Sequence, residues 1–138
     1  MKDGALLRTG KLEHPLFGGG GQGGRLEILE ADGAVRWRWD CAQKYLQHHD
    51  IELMPNGNIL LIAWEGKTSQ EAIALGREST SVADDGLWPD CLLEITPILP
   101  DKHKVVWEWH SWDHLIQDRD KKKIYYNVGR PPRGGRRF

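Results

Sequence analysis

Three short segments of this chain recur in one order. Leu26-Glu27-Ile28, a turn at Asp32-Gly33 and Val35-Arg36-Trp37-Arg38-Trp39 return as Leu93-Glu94-Ile95, a turn near Pro100-Asp101 and Val106-Trp107-Glu108-Trp109. The Leu-Glu-Ile copies lie 67 positions apart and the first Trp copies 70. Asp3-Gly4 before Leu6-Leu7 matches Asn56-Gly57 before Leu60-Leu61 in the same frame. Strand-like segments repeating in order imply a fold built from a repeated unit, each copy burying its apolar face on a neighbour. Function is therefore to be sought in the assembled unit and not in one short motif.

The 138 residues suffice for one domain with a core. A net charge of −1 selects no polyanionic partner, so no nucleic acid is expected. Mean hydropathy is −0.58 and no long apolar run occurs, so no membrane span is expected. Met1-Lys2-Asp3-Gly4 opens without the apolar core of a secretory signal, which leaves location open. Cys41 and Cys91 stand far apart; two free thiols and one disulfide are both compatible with that count. Seven Trp and sixteen Gly suit strands with aromatic faces joined by tight turns.

Ala5 to Thr9 reads as a strand, followed by a loop that ends in the glycine run Gly18 to Gly24. Arg25 to Glu30 and Ala34 to Trp39 read as a hairpin across Asp32-Gly33, with Val35, Trp37 and Trp39 on one face. Asp50 to Met54 and Ile59 to Trp64 form a second hairpin across Pro55-Asn56-Gly57-Asn58, and Cys91 to Thr96 and Lys104 to Trp109 a third. Ser69 to Gly76 is the one helical stretch, with Ser69 as its N-cap. It lies in an insertion at about 66–89, where Asp84-Asp85-Gly86 reads as a turn. The unit spans residues 1–118; residues 119–138 read as a basic, poorly ordered tail. The expected fold is all-β: a partial β-propeller of about two four-stranded blades, the first lacking its inner strand. Asp50 to Met54 is then innermost and Lys104 to Trp109 outermost.

His48-His49 precedes that inner strand, on the channel side of a propeller; a hydrogen-bonded loop pair with no chemistry is the plainer alternative. His110 and His114 have the i, i+4 spacing of zinc ligands on a helix. The Glu of His-Glu-x-x-His is absent and a strand pattern precedes them, so no metal and no cofactor is expected. The glycine run lacks Gly-Lys-Ser/Thr and leads into a strand, so it reads as permissive backbone, with an anion-binding nest as the alternative. Trp37, Trp39, Trp107 and Trp109 read as packing between blades. Arg8, on the second strand of the first copy, is either an oxyanion-binding fork or a surface charge.

Leu6-Leu7-Arg8-Thr9-Gly10-Lys11-Leu12-Glu13-His14-Pro15, His48-His49-Asp50-Ile51-Glu52 with Pro55-Asn56-Gly57-Asn58, and Val106-Trp107-Glu108-Trp109 with Trp112-Asp113-His114-Leu115-Ile116-Gln117-Asp118 resemble the bacterial arylsulfotransferase family. The resemblance runs from about Gly4 to Gly135 and is weakest over the insertion and tail. It implies a six-bladed propeller that moves a sulfuryl group from an aryl sulfate to a phenol through a sulfohistidine, without a nucleotide donor. Neutral imidazole is a competent nucleophile near neutral pH, and fixed donors stabilise charge growing on the sulfuryl oxygens. By position His49 matches a channel histidine that supports the transferred group and is not the nucleophile. His48, Arg8 and His114 are the candidate substrate-contacting residues. Family members continue past a sequence like Pro132-Arg133-Gly134-Gly135 into a blade opening with His-x-Asn, whereas Arg136-Arg137-Phe138 ends this chain. A truncated form without the nucleophilic histidine is therefore expected, and activity of this chain stays open. The alternative is a non-catalytic propeller fragment acting as an interaction module, self-associating through open strand edges. Family members are often periplasmic.

Overall fold

A computed structural model describes residues 1, 3–13, 20–41, 44–118 and 120–126. It contains two antiparallel sheets. The first has the order β1 (Leu6–Lys11), β2 (Gly24–Leu29), β3 (Val35–Asp40). The second has the order β4 (Tyr45–Leu53), β5 (Ile59–Glu65), β6 (Asp90–Ile98), β7 (Lys102–His110). Three strands and then four, each paired with the next in sequence, is the arrangement that the repeat implied. Among the described residues the two sheets do not close into a ring.

The turns follow from their glycines. Gly33 and Gly57 have φ of 89° and 85°, the left-handed region open to glycine, and each N–H closes its turn, onto Glu30 O and Met54 O. In the insertion, α1 (Ser69–Ala74) is capped by Thr68 and not by Ser69. Glu71 stands three residues after Thr68, so side chain and backbone exchange the two bonds of a capping box. Ser69 instead donates its hydroxyl to Ala83 O. Asp84-Asp85-Gly86 turns as expected, with Gly86 N–H donating to Ala83 O. In the segment expected as a loose tail, residues 120–126 fold back so that Tyr126 bridges Gln117. His14, Pro15, Gly18, Gly19, Arg130, Arg133, Arg136 and Arg137 lie outside the described residues.

One core joins the sheets. Leu26, Ile28 and Trp37 of the first are buried with Ile59, Leu61, Ala63, Cys91, Leu93 and Ile95 of the second. Trp37 is fully buried, and its Nε1 donates to Lys102 O at 2.7 Å, tying β3 to the β6–β7 turn. Trp39 stacks on His103 with ring centroids 4.0 Å apart. The opposite face of the first sheet is charged. Glu27, 2% exposed, is gripped by Arg8 and Arg38 from the flanking strands. Burial alone raises its carboxyl pKa, but the hydrogen bonds from Arg8 and Arg38 outweigh burial and hold it below the usual value.

The two Trp pairs are not equivalent within their sheets. Trp37 pairs with Ile28, but Trp107 pairs with Glu94, and it is Val105 that pairs with Ile95. Side chains alternate with period two, so a one-residue slip exchanges faces. Trp37 and Trp39 therefore share the core face of Leu26 and Ile28. Trp107 and Trp109 lie on the face away from Leu93 and Ile95. Trp37 packs between the sheets as expected; Trp107 and Trp109 are 47% and 37% exposed and, among the described residues, take no part in the core that the sheets share. Their face also carries Leu60, Ile62, Trp64 and Leu92, each half-buried, with Glu52 and Glu94 in register on either side of Leu60, so this side of the four-stranded sheet bears an apolar patch bordered by carboxylates.

Cys41 and Cys91 are buried free thiols. Burial pushes the Cys41 thiol up to about 11 and the Cys91 thiol up to about 12, and Cys41 Sγ lies in hydrogen-bond contact with Gly24 O. The thiolate is the reactive form. Neither cysteine should therefore react with an aromatic disulfide reagent at pH 8 in the native protein, while both react in denaturant. Rapid native labelling of either would place that thiol at the surface.

Candidate functional site

The histidine pair occupies a bulge. Gln47 pairs with Ala63 and Ile51 with Leu61, so His48, His49 and Asp50 on β4 face the single residue Ile62 on β5. A bulge frees side chains from the pleat and re-aims them. His49 has φ of 54°, the left-handed region, which costs a non-glycine residue about 1 kcal/mol. Its N–H donates to Gly21 O at 2.8 Å, and Gln22 bridges His48, so the backbone within the glycine run holds the bulge from outside.

The glycines there are required by contact. A Cβ on Gly21 would lie 2.5 Å from the His49 ring, and one on Gly23 would lie 2.0 Å from Gln47 Oε1. The N–H groups of Gly23 and Gly24 donate to Gln47. These groups of the run are thus turned onto β4, in place of the free loop or the anion nest that the sequence suggested. Gly21 is a platform for an imidazole.

His48 is 4% exposed and His49 is exposed. Their Nδ1 atoms are 2.8 Å apart, so one donates to the other. The His48 ring stacks on Trp64 with centroids 3.8 Å apart, and His49 meets Trp64 edge-on at 6.4 Å. Asp90 Oδ1 lies 3.2 Å from His48 Nε2, at ion-pair distance though off the line of a hydrogen bond. Nε2 is buried and has no other partner among the described residues, so Asp90 is the group available to it there. Burial pushes the His48 imidazole below its usual pKa; Asp90 opposes the shift and His49 adds to it. A neutral, stacked, buried imidazole thus backs an exposed one. Asp50 is occupied locally, its Oδ1 accepting from Ile51 N–H.

The other candidates lie elsewhere. Arg8 is locked bidentately onto Glu27 at 2.9 and 2.7 Å, on the charged face of the first sheet. His114 sits in a 3-10 turn (Ser111–His114) and stacks on Trp109 of β7, the strand at the opposite edge of the sheet from β4. His110 faces Glu65 and Glu108, at 3.1 and 3.4 Å. His110 and His114 therefore do not converge, and among the described residues no three metal-ligating side chains do. A groove of about 350 Å3 runs between α1 and the 112–125 segment, lined by Leu75, Leu87, Trp112 and Leu115 among others; neither His48 nor His49 lines it. Sequence inspection missed Trp64 and Asp90, which come from the end of β5 and the start of β6 and meet the histidines only through the strand pairing.

No protein-family model, curated protein or solved structure matches the chain.

Proposed function

We propose that this chain is two blades of a β-propeller of the arylsulfotransferase kind, and that its His48-His49 corner contacts the sulfuryl group of an aryl sulfate. The observation that carries this reading is the imidazole pair, 2.8 Å apart, one buried and one exposed, on the edge strand that a propeller would put nearest its axis. Strand order supports it, because each sheet runs in sequence from edge to edge as a blade does. The motifs quoted above support it further. His49 serves the sulfuryl oxygens as a hydrogen-bond donor once its Nε2 has taken up the proton of the phenol acceptor, and the indole of Trp64 beside it suits an aromatic leaving group. Arg8 and His114 have no part in this site: Arg8 is held by Glu27, and His114 lies across the sheet.

The test is binding. 4-Nitrophenyl sulfate should shift the imidazole NMR signals of His48 and His49, and His49→Ala should abolish the effect on His48. No release of 4-nitrophenol is expected, because the resemblance gives His49 a supporting role and not the nucleophile's. Saturating aryl sulfate with unmoved imidazole signals would overturn the proposal. A second reading is favoured by one observation: the open apolar face with Trp107 and Trp109 suits a non-catalytic interaction module. In that case His49→Ala leaves association unchanged while changes on that face abolish it.

A further inference from the structure

We infer that Asp90, His48 and His49 form a proton relay that fixes His49 with its proton on Nδ1 and makes its Nε2 the proton acceptor for a hydroxyl-bearing ligand. The inference rests on the proposed function only for the class of that ligand, a phenol. The relay itself comes from geometry.

The tautomers follow from the partners. The carboxylate of Asp90 can only accept, and its charge 3.2 Å from His48 Nε2, though off the line of a hydrogen bond, favours the tautomer with the His48 proton on Nε2 over one that sets a second lone pair against it. A neutral His48 then offers a lone pair at Nδ1. His49 Nδ1, 2.8 Å away, must donate to it. The lone pair of His49 is left on Nε2, in the exposed imidazole. Free histidine favours the opposite tautomer, so the arrangement is imposed by the neighbours. The rings cannot turn freely out of it: His48 is stacked on Trp64, and the His49 ring lies against Gly21, where even a methyl group would collide.

The proton path balances. A phenolic O–H gives its proton to His49 Nε2, and the bonding pair stays on the oxygen as phenolate. The Nδ1 proton of His49 passes to Nδ1 of His48. His48 becomes an imidazolium with protons on both nitrogens, facing the Asp90 carboxylate, which stays ionised. Buried and stacked, His48 would resist that charge without Asp90. Asp90 and His48 are thus positioning residues, and His49 is the group that meets the ligand.

The experiment reads the tautomer directly, with no substrate present. In 15N-labelled protein near neutral pH, long-range 1H–15N spectra should show His49 protonated at Nδ1 and bare at Nε2. Diethyl pyrocarbonate, which acylates a bare imidazole nitrogen, should modify His49 about tenfold more slowly in Asp90→Asn, with Asp90→Glu recovering much of the loss. Asp90 is exposed, so these variants should fold. Wild-type His49 protonated at Nε2, or an unchanged acylation rate in a folded Asp90→Asn, overturns the relay. If the tautomer is found and aryl sulfate moves neither imidazole, the relay stands and the sulfuryl reading falls; the reverse pair of results has the opposite meaning.

Discussion

Replacing Trp37 by Ala should cost about 3–5 kcal/mol, the range for deleting a buried aromatic side chain. A domain typically has about 5–15 kcal/mol in total, so the variant should be near the limit of folding. Trp37 is the largest fully buried side chain among the described residues, and it reaches both sheets, packing in the shared core and donating Nε1–H to Lys102 O. Trp37→Phe separates the two contributions. It keeps most of the apolar volume and loses the hydrogen bond, so it should cost much less than Trp37→Ala. Urea unfolding of the three proteins checks this. A loss below about 1 kcal/mol in Trp37→Ala would mean that the sheets are not held together through this ring.

The isolated chain should associate at low micromolar concentration, and charge on the open sheet face should prevent it. Leu60, Ile62, Leu92, Trp107 and Trp109 lie on one side of β5, β6 and β7, and among the described residues no second sheet covers them. Apolar surface removed from water contributes about 25 cal/mol per Å2, so a modest patch offsets much of the cost of association. Along β7, Val106 is also exposed beside the free strand edge, flanked by Lys102 and Lys104 that discourage pairing there. Ile62→Glu with Trp107→Glu should weaken association at least about 100-fold, since like charges would be buried by it without partners. Sedimentation velocity over a dilution series reads the outcome. A wild-type chain that stays monomeric at about 100 μM would remove the face as an interaction surface.

Much of the fold is legible in the sequence because its signals are local. Asp32-Gly33 and Asn56-Gly57 mark their turns, and Ile59 to Glu65 alternates between core and open face without a break. The inner strand is harder to read. The chain is paired from Tyr45, not Asp50, but the bulge at His48 to Asp50 breaks the alternation, so the pattern is recognisable only beyond it. The face exchange of Trp107 and Trp109 is not written in the spacing: offsets of 67 and 70 would carry Ile28 opposite Trp37 onto Ile95 opposite Trp107, and only the pairing register, shifted at Glu94 and Ile95, sets Trp107 opposite Glu94. The site is the least legible part. His48 and His49 are adjacent and invite attention, but Asp90 and Trp64 join them only through the registers of β4 with β5 and β5 with β6. No spacing rule foresees that Gly21 supports an imidazole, because the contact depends on a missing atom.

The charged outer face of the first sheet has a consequence for how copies of this chain can assemble. Arg8 and Arg38 on Glu27, Arg25 on Asp40 and Arg36 on Glu30 saturate one another. The molecule is thus a two-layer stack with a sticky side and a finished one. Head-to-tail addition would press the sticky side of one copy onto the finished side of the next and run on as a filament. That step buries charges whose partners are already fixed, in exchange for apolar contact on one side only. Two sticky sides meeting about a twofold axis bury apolar surface from both copies and leave none for a third. Growth through this face is therefore self-limiting and ends at a pair.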